Sequence, residues 1–346
     1  MSIKSAALAV IFAGIAAAQS QPQSQTFDFT NKPTQQGLQE IATILRTVGN
    51  IKTLSIDSTA ASVTVSGTAD ELAMSGWIIH ALDQPAPPAT TAPPQQFLIA
   101  GKSDDVIRVY HLSSVPAAQP QPIQEVLTVL RTVGDIQKVF NYTALSDLVV
   151  RGSASDISFA DFVIGALDIQ KGSTTATKEL DITDPYQGPQ QIKVFYLAHA
   201  STAQSIQEIL TTLRTVADIQ KVFNYSPLNA LVIRAVPIQM AASEWMIQSL
   251  DIASAPATSG APNAHEFQMA GYGRIAPTVI SVYYPANLTT PQGLNQTLTA
   301  LRTDLSIQKT FDYSSPAAIV VRGSADVVAK AEQLMQTRDQ ASKSTP

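Results

Sequence analysis

Apolar positions along this chain fall into one pattern that is written four times. Its clearest copy opens with Val106-Ile107-Arg108-Val109-Tyr110-His111-Leu112, a β-rich run that predicts a strand. A Pro- and Gln-rich turn follows, ending at Pro122. Ile123, Val126, Leu127 and Leu130 then recur at i, i+3, i+4 and i+7, the apolar stripe of one helix. Gly134 stands just past that stripe, where a left-handed C-cap residue belongs. A second β-rich run covers 136–142, and after a turn through Ser146-Asp147 comes Leu148-Val149-Val150-Arg151. Short, branched and continuously apolar, this segment predicts a central strand buried on both faces. Ser153 and Asp156, three apart, approach a capping box and open a second helix that closes at Leu167-Asp168. The predicted order is strand, helix, strand, strand, helix.

The same order recurs in the other copies. First helices are predicted at 38–48, 206–216 and 294–303, and central strands at 63–66, 231–234 and 319–322. In the third copy Pro237 takes over the start of the second helix, a position that suits its fixed φ. Each first helix ends on one phrase: Leu45-Arg46-Thr47, Leu130-Arg131-Thr132, Leu213-Arg214-Thr215 and Leu301-Arg302-Thr303, with the arginines 85, 83 and 88 residues apart. A fixed period of this kind marks an array of supersecondary units. The stretch 84–96 is Pro-rich and predicts an extended spacer, while 169–190 and 252–278 are longer and mixed. Within them Phe97-Leu98-Ile99-Ala100, Glu179-Leu180-Asp181-Ile182 and Glu266-Phe267-Gln268-Met269 predict an extra strand for modules two, three and four. Module one, preceded only by the Gln-rich stretch 19–25, has none. The modules are placed at 26–83, 97–168, 179–251 and 266–340. A unit of this size buries only about 60% of its unfolded surface, so packing between modules or chains is expected.

Four features of module three carry a resemblance. They are the opening Lys193-Val194-Phe195-Tyr196-Leu197, the helix from Ile206 to Leu213, the stretch Asn229-Ala230-Leu231-Val232-Ile233-Arg234, and the closing Ser249-Leu250-Asp251. Modules two and four add Arg151-Gly152-Ser153 and Arg322-Gly323-Ser324 after the central strand. Over residues 27–340 the chain resembles the N-domain repeats of secretins, the outer-membrane channels of type II and III secretion and type IV pili. The resemblance implies an α+β fold of tandem βαββα modules, each a KH-like sandwich of two helices on a three- to four-stranded sheet. It also implies stacking into periplasmic rings that contact secreted substrates and inner-membrane partners. A secretin continues into a channel-forming β-domain, whereas this sequence stops at Pro346, so a binding role is expected rather than a channel.

Composition narrows the function classes. Apolar residues make up 45% and charged residues 14%, a balance that supports a packed core. With 22 basic and 27 acidic residues the net charge is −5, which opposes nucleic-acid binding, and the Gly-x-x-Gly clamp of KH modules is missing. Lys4, the apolar run 6–15 and Ala16-Ala17-Ala18 read as an export signal over residues 1–18. No later segment is apolar enough to predict a membrane span. The chain has no cysteine, which excludes disulfides, thiolate metal sites and cysteine nucleophiles. His80, His111, His199 and His265 lack ligand spacing, and no nucleophile elbow, phosphate loop or paired-carboxylate motif is present. No enzymatic activity, cofactor or metal is expected.

The remaining candidates are interface residues. Arg46, Arg131, Arg214 and Arg302 sit where a cation favours the helix dipole, or where a line of cations could read a partner's carboxylates. Second helices open with Asp70 and Glu71, with Asp156 and with Asp326, so a pair such as Arg131–Asp156 is expected. Arg214, opposite Gln239, is expected to lack that partner. Asp83, Asp168, Asp251 and Asp339 close the second helices, where a carboxylate is electrostatically disfavoured. They predict a contact to a neighbouring module or subunit, or the start of an exit turn. The aromatics of Phe140-Asn141-Tyr142, Phe223-Asn224-Tyr225 and Phe311-Asp312-Tyr313 share one face and are expected under the helices. Lys138, Lys221 and Lys309 fit charged protection of a sheet edge. The function expected is a non-enzymatic exported scaffold, periplasmic or extracellular, that binds proteins or itself and assists a secretion- or pilus-type complex. The alternative is a surface protein that self-assembles through sheet edges into fibres or layers.

Overall fold

The computed structural model describes residues 23–85, 94–99, 101, 105–115, 120–184, 187–256 and 264–343, so the expected export signal lies outside the described residues. Module one is built from β1 (Gln23–Asp28), α1 (Gln35–Thr47), β2 (Thr53–Asp57), β3 (Ser62–Gly67) and α2 (Ala69–Leu82). Module two comprises β4 (Gln95–Leu98), β5 (Val106–His111), α3 (Pro120–Thr132), β6 (Val139–Tyr142), β7 (Asp147–Gly152) and α4 (Ala154–Leu167). Module three repeats this as β8 (Lys178–Asp184), β9 (Gly188–Tyr196), α5 (Ala203–Val216), β10 (Lys221–Tyr225), β11 (Ala230–Ala235) and α6 (Pro237–Leu250). Module four consists of β12 (Ala264–Met269), β13 (Thr278–Tyr283), α7 (Pro291–Asp304), β14 (Thr310–Ser314), β15 (Ala317–Gly323) and α8 (Ala325–Lys343).

The fold is α+β, with four antiparallel sheets ordered β1-β3-β2, β4-β5-β7-β6, β8-β9-β11-β10 and β12-β13-β15-β14. The three extra strands overlap the predicted runs, the first of them starting two residues earlier, at Gln95, and ending at Leu98, and each lies on an outer edge. Local chemistry sets the helix starts: Thr68 with Glu71 and Ser153 with Asp156 form reciprocal capping boxes, and Pro237 occupies the first turn of α6. The expected left-handed cap is one residue late. Asp135 carries it, at φ 60°, together with Asn50, Asp218 and Ser306 in the other modules. Gly134 is needed for space instead, because a Cβ there would lie 2.3 Å from the Phe159 ring.

The modules share their cores. Val149 of β7 packs with Ile41, Leu45 and Ile78 of module one, while its neighbours Leu148 and Val150 pack with Val126, Leu130 and Val163 of module two. In the same way Val194, Tyr225 and Val232 of module three join the helices of module two, and Val282, Tyr313 and Val320 of module four join those of module three. The chain is therefore one stack in which sheets and helix pairs alternate. Each inner helix pair is covered by its own sheet and by the next one, which answers the marginal core of a lone module.

Both ends of the stack are polar. On sheet one, Ser24, Thr26, Thr53, Ser55, Ser62, Thr64 and Ser66 share the face away from α1 and α2, with Ser24–Ser66 and Thr26–Thr64 hydroxyl bonds of 2.6 and 2.9 Å. At the other end, α8 carries exposed Lys330, Gln333 and Thr337 where α4 carries Phe159, Phe162 and Ala166. Polar outer faces on terminal repeats are what a finite array requires.

Candidate functional site

The molecule's most specific chemistry lies at its three module junctions. At one pole a glutamate on the first helix of modules one, two and three accepts hydrogen bonds from the next module. Glu40 takes the backbone N–H and hydroxyl of Thr143 (2.8 Å each). Glu125 takes those of Ser226 (2.7 and 2.9 Å), and Glu208 those of Ser314 (both 2.9 Å). Module four, the last of the four, has Gln296 at this position.

At the other pole an arginine on the central strand reaches back to the end of the preceding first helix. Arg151 donates to the carbonyls of Val48 and Gly49 (3.2 and 3.3 Å), and Arg322 to that of Val216 (3.0 Å) and to Asp218 (3.1 Å). Arg234 meets Asp135 at 3.3 Å. These carbonyls form the negative end of a helix dipole, so a nearly buried guanidinium satisfies them well. Module one, the first of the four, has Ser66 here. Lys221 and Lys309 also bridge back, to Asp135 and Asp218, and so serve the junctions rather than guarding a sheet edge.

The aromatic triplets belong to this docking too. Phe140 and Tyr142 share a face as expected, but the helices over them are those of the preceding module. The extra strands cover the preceding second helix: Phe97 packs on Trp77 at 5.5 Å between ring centroids, and Phe267 on Trp245 at 5.7 Å. Tyr196 and Tyr284 add struts, their hydroxyls donating to Ala166 O (2.8 Å) and Ser249 O (2.6 Å) at the end of that helix.

The structure places the expected interface residues inside their own modules. Arg131, Arg214 and Arg302 donate to the carbonyls of Val139, Val222 and Thr310 on the adjacent strand, at 2.8, 2.9 and 3.1 Å. The expected Arg131–Asp156 pair is absent, because Asp156 is engaged in its capping box. Arg214 is partnered like its equivalents, and the exposed Arg46 is the arginine that makes no such bond. Gln239 donates to Ala217 O and Asp218 O, so the two helix ends do meet at one pole.

Each closing aspartate bonds to the backbone of its own module. Asp83 accepts from the backbone of Thr30 and Asn31, and Asp168 from that of Ser113 and Ser114. Asp251 accepts from Ala198, His199 and Ala200, and Asp339 from Ala286, Asn287 and Leu288. Each carboxylate gathers the unpaired N–H groups of the loop between first strand and first helix, which outweighs the unfavourable dipole. Burial pushes the Asp83 carboxyl up, but the bonds from Asn31 and Thr30 more than offset it, leaving it below the usual carboxylate range.

Sequence reasoning missed the glutamates and the strand-end arginines as one system. The signal was present: the glutamate is replaced only in the last module, and the arginine only in the first. It also missed the buried pair His111–Asp147, 3.0 Å apart between Nδ1 and Oδ1, where burial pushes the Asp147 carboxyl up to about 7 against the lowering effect of His111. Among the described residues no group of three or more His, Asp or Glu could hold a metal, and no helix is long and apolar enough to cross a membrane.

No family model and no curated protein matches this chain. Among solved structures it is similar to ExeD of Aeromonas hydrophila, at 19% identity over 67% of this chain and 41% of that one, with a TM-score of 0.16. It is also similar to the N-terminal domain of the secretin XcpQ from Pseudomonas aeruginosa, at 14% identity over 67% and 100%, with a TM-score of 0.22. A protein of unknown function from Aeropyrum pernix matches at 13% identity over 43% and 84%, with a TM-score of 0.23. Secretin N-terminal domains are thus among its structural neighbours. The chain spans 41% of the length of ExeD, and at these identities and TM-scores the functional argument rests on its own residues.

Proposed function

We propose that the protein is a non-enzymatic exported scaffold, a rod of four modules that docks other proteins in a secretion- or pilus-type envelope assembly. The observation that carries this reading is the closed stack. Apolar sheet and helix faces are consumed between modules, and both terminal faces are polar, so growth by end-to-end addition has no apolar surface to use. What remains for partners are strand edges and helix poles along the flanks. The secretion or pilus setting comes from the sequence resemblance of the modules, and the export signal expected over residues 1–18 supports a periplasmic or extracellular location.

One observation favours the second reading, self-assembly through sheet edges. The edge strand β4 is uncharged (Gln95-Gln96-Phe97-Leu98) and its Leu98 is 63% exposed, whereas β8 carries Lys178, Glu179, Asp181 and Asp184. Light scattering and negative-stain imaging of residues 19–346 separate the two. Discrete rods or closed rings are expected for the scaffold, and fibres or layers overturn it in favour of self-assembly.

A further inference from the structure

Sheets two, three and four each end on an extra strand, and the three edges are not guarded alike. β8 carries Lys178, Glu179, Asp181 and Asp184, and β12 carries Glu266 beside His265, side chains that discourage pairing with a further strand. β4 has no charged residue. Its inner ladder fixes which of its main-chain groups are left over. Ile99 donates its N–H to Asp105 O at 3.0 Å, so Phe97 and Gln95, two and four residues back, also turn toward β5. The N–H and C=O groups of Gln96 and Leu98 therefore point outward from the free edge.

Two features flank that edge, one on each face. Leu98, on the face where Gln96 meets Arg108, is 63% exposed, the most exposed large apolar side chain among the described residues. On the other face Phe97 and Ile99 pack toward the helices of module one and, with Met74, form the apolar wall of a cavity of about 180 Å³. Asp70 and Glu71, in the first turn of α2, line the same cavity. Glu71 uses one oxygen in its capping box, 2.8 Å from the Thr68 nitrogen, and Asp70 is exposed with no hydrogen-bond or ion-pair partner among the described residues. The cation in the wall, Arg151, is already matched by Asp105 at 2.7 Å and by the carbonyls of Val48 and Gly49. The cavity thus joins an apolar wall to unmatched negative charge, in a space the size of one long side chain.

We propose that β4 is the docking edge for an extended basic segment of a partner protein. The segment adds to sheet two as a further strand, exchanging main-chain bonds with Gln96 and Leu98. One of its apolar side chains covers Leu98. The residue next to it, which an extended chain turns to the opposite face, is an arginine or lysine whose stem lies along Phe97 and Met74 and whose charge meets Asp70 and Glu71. Charge selects this occupant over a second copy of the chain. Antiparallel pairing of β4 with its own copy keeps like faces together, so Asp70 and Glu71 of both copies gather on one face with no cation to match them. The proposal rests on the scaffold reading and names the flank and the partner chemistry that the scaffold uses.

The probe is a fluorescein-labelled peptide of alternating valine and arginine, titrated with residues 19–346 and read by fluorescence anisotropy in about 0.15 M salt, which screens long-range attraction. Saturable binding is expected. Leu98→Lys guards the edge and should weaken it at least about tenfold, and Asp70→Asn about two- to fivefold, whereas Asp181→Asn on β8 should leave it unchanged. N-methylation of the valines alone and of the arginines alone blocks opposite edges of the peptide strand. One version should bind like the parent peptide and the other should lose binding. Binding that is absent, indifferent to Leu98→Lys, reduced as much by Asp181→Asn as by Asp70→Asn, or equal for the two methylated peptides overturns the proposal. Light scattering of the free protein separates the two levels: fibres overturn the scaffold itself, whereas discrete rods that ignore the peptide overturn the β4 site alone.

Discussion

The central strands of modules one and two occupy the same place in the same fold and differ at alternate positions. Ser62, Thr64 and Ser66 of β3 correspond to Asp147, Val149 and Arg151 of β7, while the positions between are Val63 and Val65 against Leu148 and Val150. The shared apolar set faces the strand's own helices in both modules. The differing set lies on the polar outer face of sheet one in module one, with Ser62 buried and Thr64 and Ser66 half-buried, and faces the helices of module one in module two. A strand's second face thus reports whether another module precedes it, and the same holds for helix two at the opposite end, where Phe159 and Phe162 become Lys330 and Gln333.

The sharpest way to break this comparison is a charge at one position in both contexts. Val232→Asp places a carboxylate between module two's helices and sheet three and should cost about 4 kcal/mol or more, whereas Thr64→Asp on the open face of sheet one should stay within about 1 kcal/mol. Chemical denaturation measures both, and equal costs would sink the layered stack. Next in size, Tyr225→Ala removes a fully buried ring from the second junction and should cost about 3–5 kcal/mol, most of it seen as loss of cooperativity between modules two and three.

A smaller effect is expected from the polar code. Glu208→Gln weakens the bonds from Ser314 and should cost about 1–2 kcal/mol, while Gln296→Glu, at the same position in module four, should be near neutral. Acid titration sharpens the role of the closing aspartates. Since the Asp83 carboxyl is held below its ordinary value, its contribution is present above about pH 4 and is lost as pH falls through its folded value. The stability gap between wild type and Asp83→Asn should therefore narrow in that range. The smallest effect belongs to the arginines: Arg214→Ala should cost about 1 kcal/mol through its bond to Val222 O, and Arg46→Ala within about 0.5 kcal/mol.

Periodicity made the modules legible. The Leu148–Val150 run announced a strand buried on both faces, and the order of elements followed from stripes at helical and strand spacing. The candidate site was less legible. Asp168 and Arg131 were singled out because they recur, yet they recur because each module needs the same internal clasp, and conserved spacing cannot separate a clasp from an interface. The glutamates and strand-end arginines were overlooked because each looks like an ordinary surface charge within its module, and becomes meaningful only beside the next one.

By itself the sequence determined the units: which residues form helix and strand, which face of each is apolar, and that four copies are joined with an extra strand in the last three. Local propensity and hydrophobic period act over a few residues, so they can be read without knowing what lies nearby. The tertiary structure alone decided what the second apolar faces meet. Tyr142, Val149 and Arg151 touch residues about a hundred positions away in another module, and such contacts are selected by burial and charge pairing across a junction that no local pattern encodes.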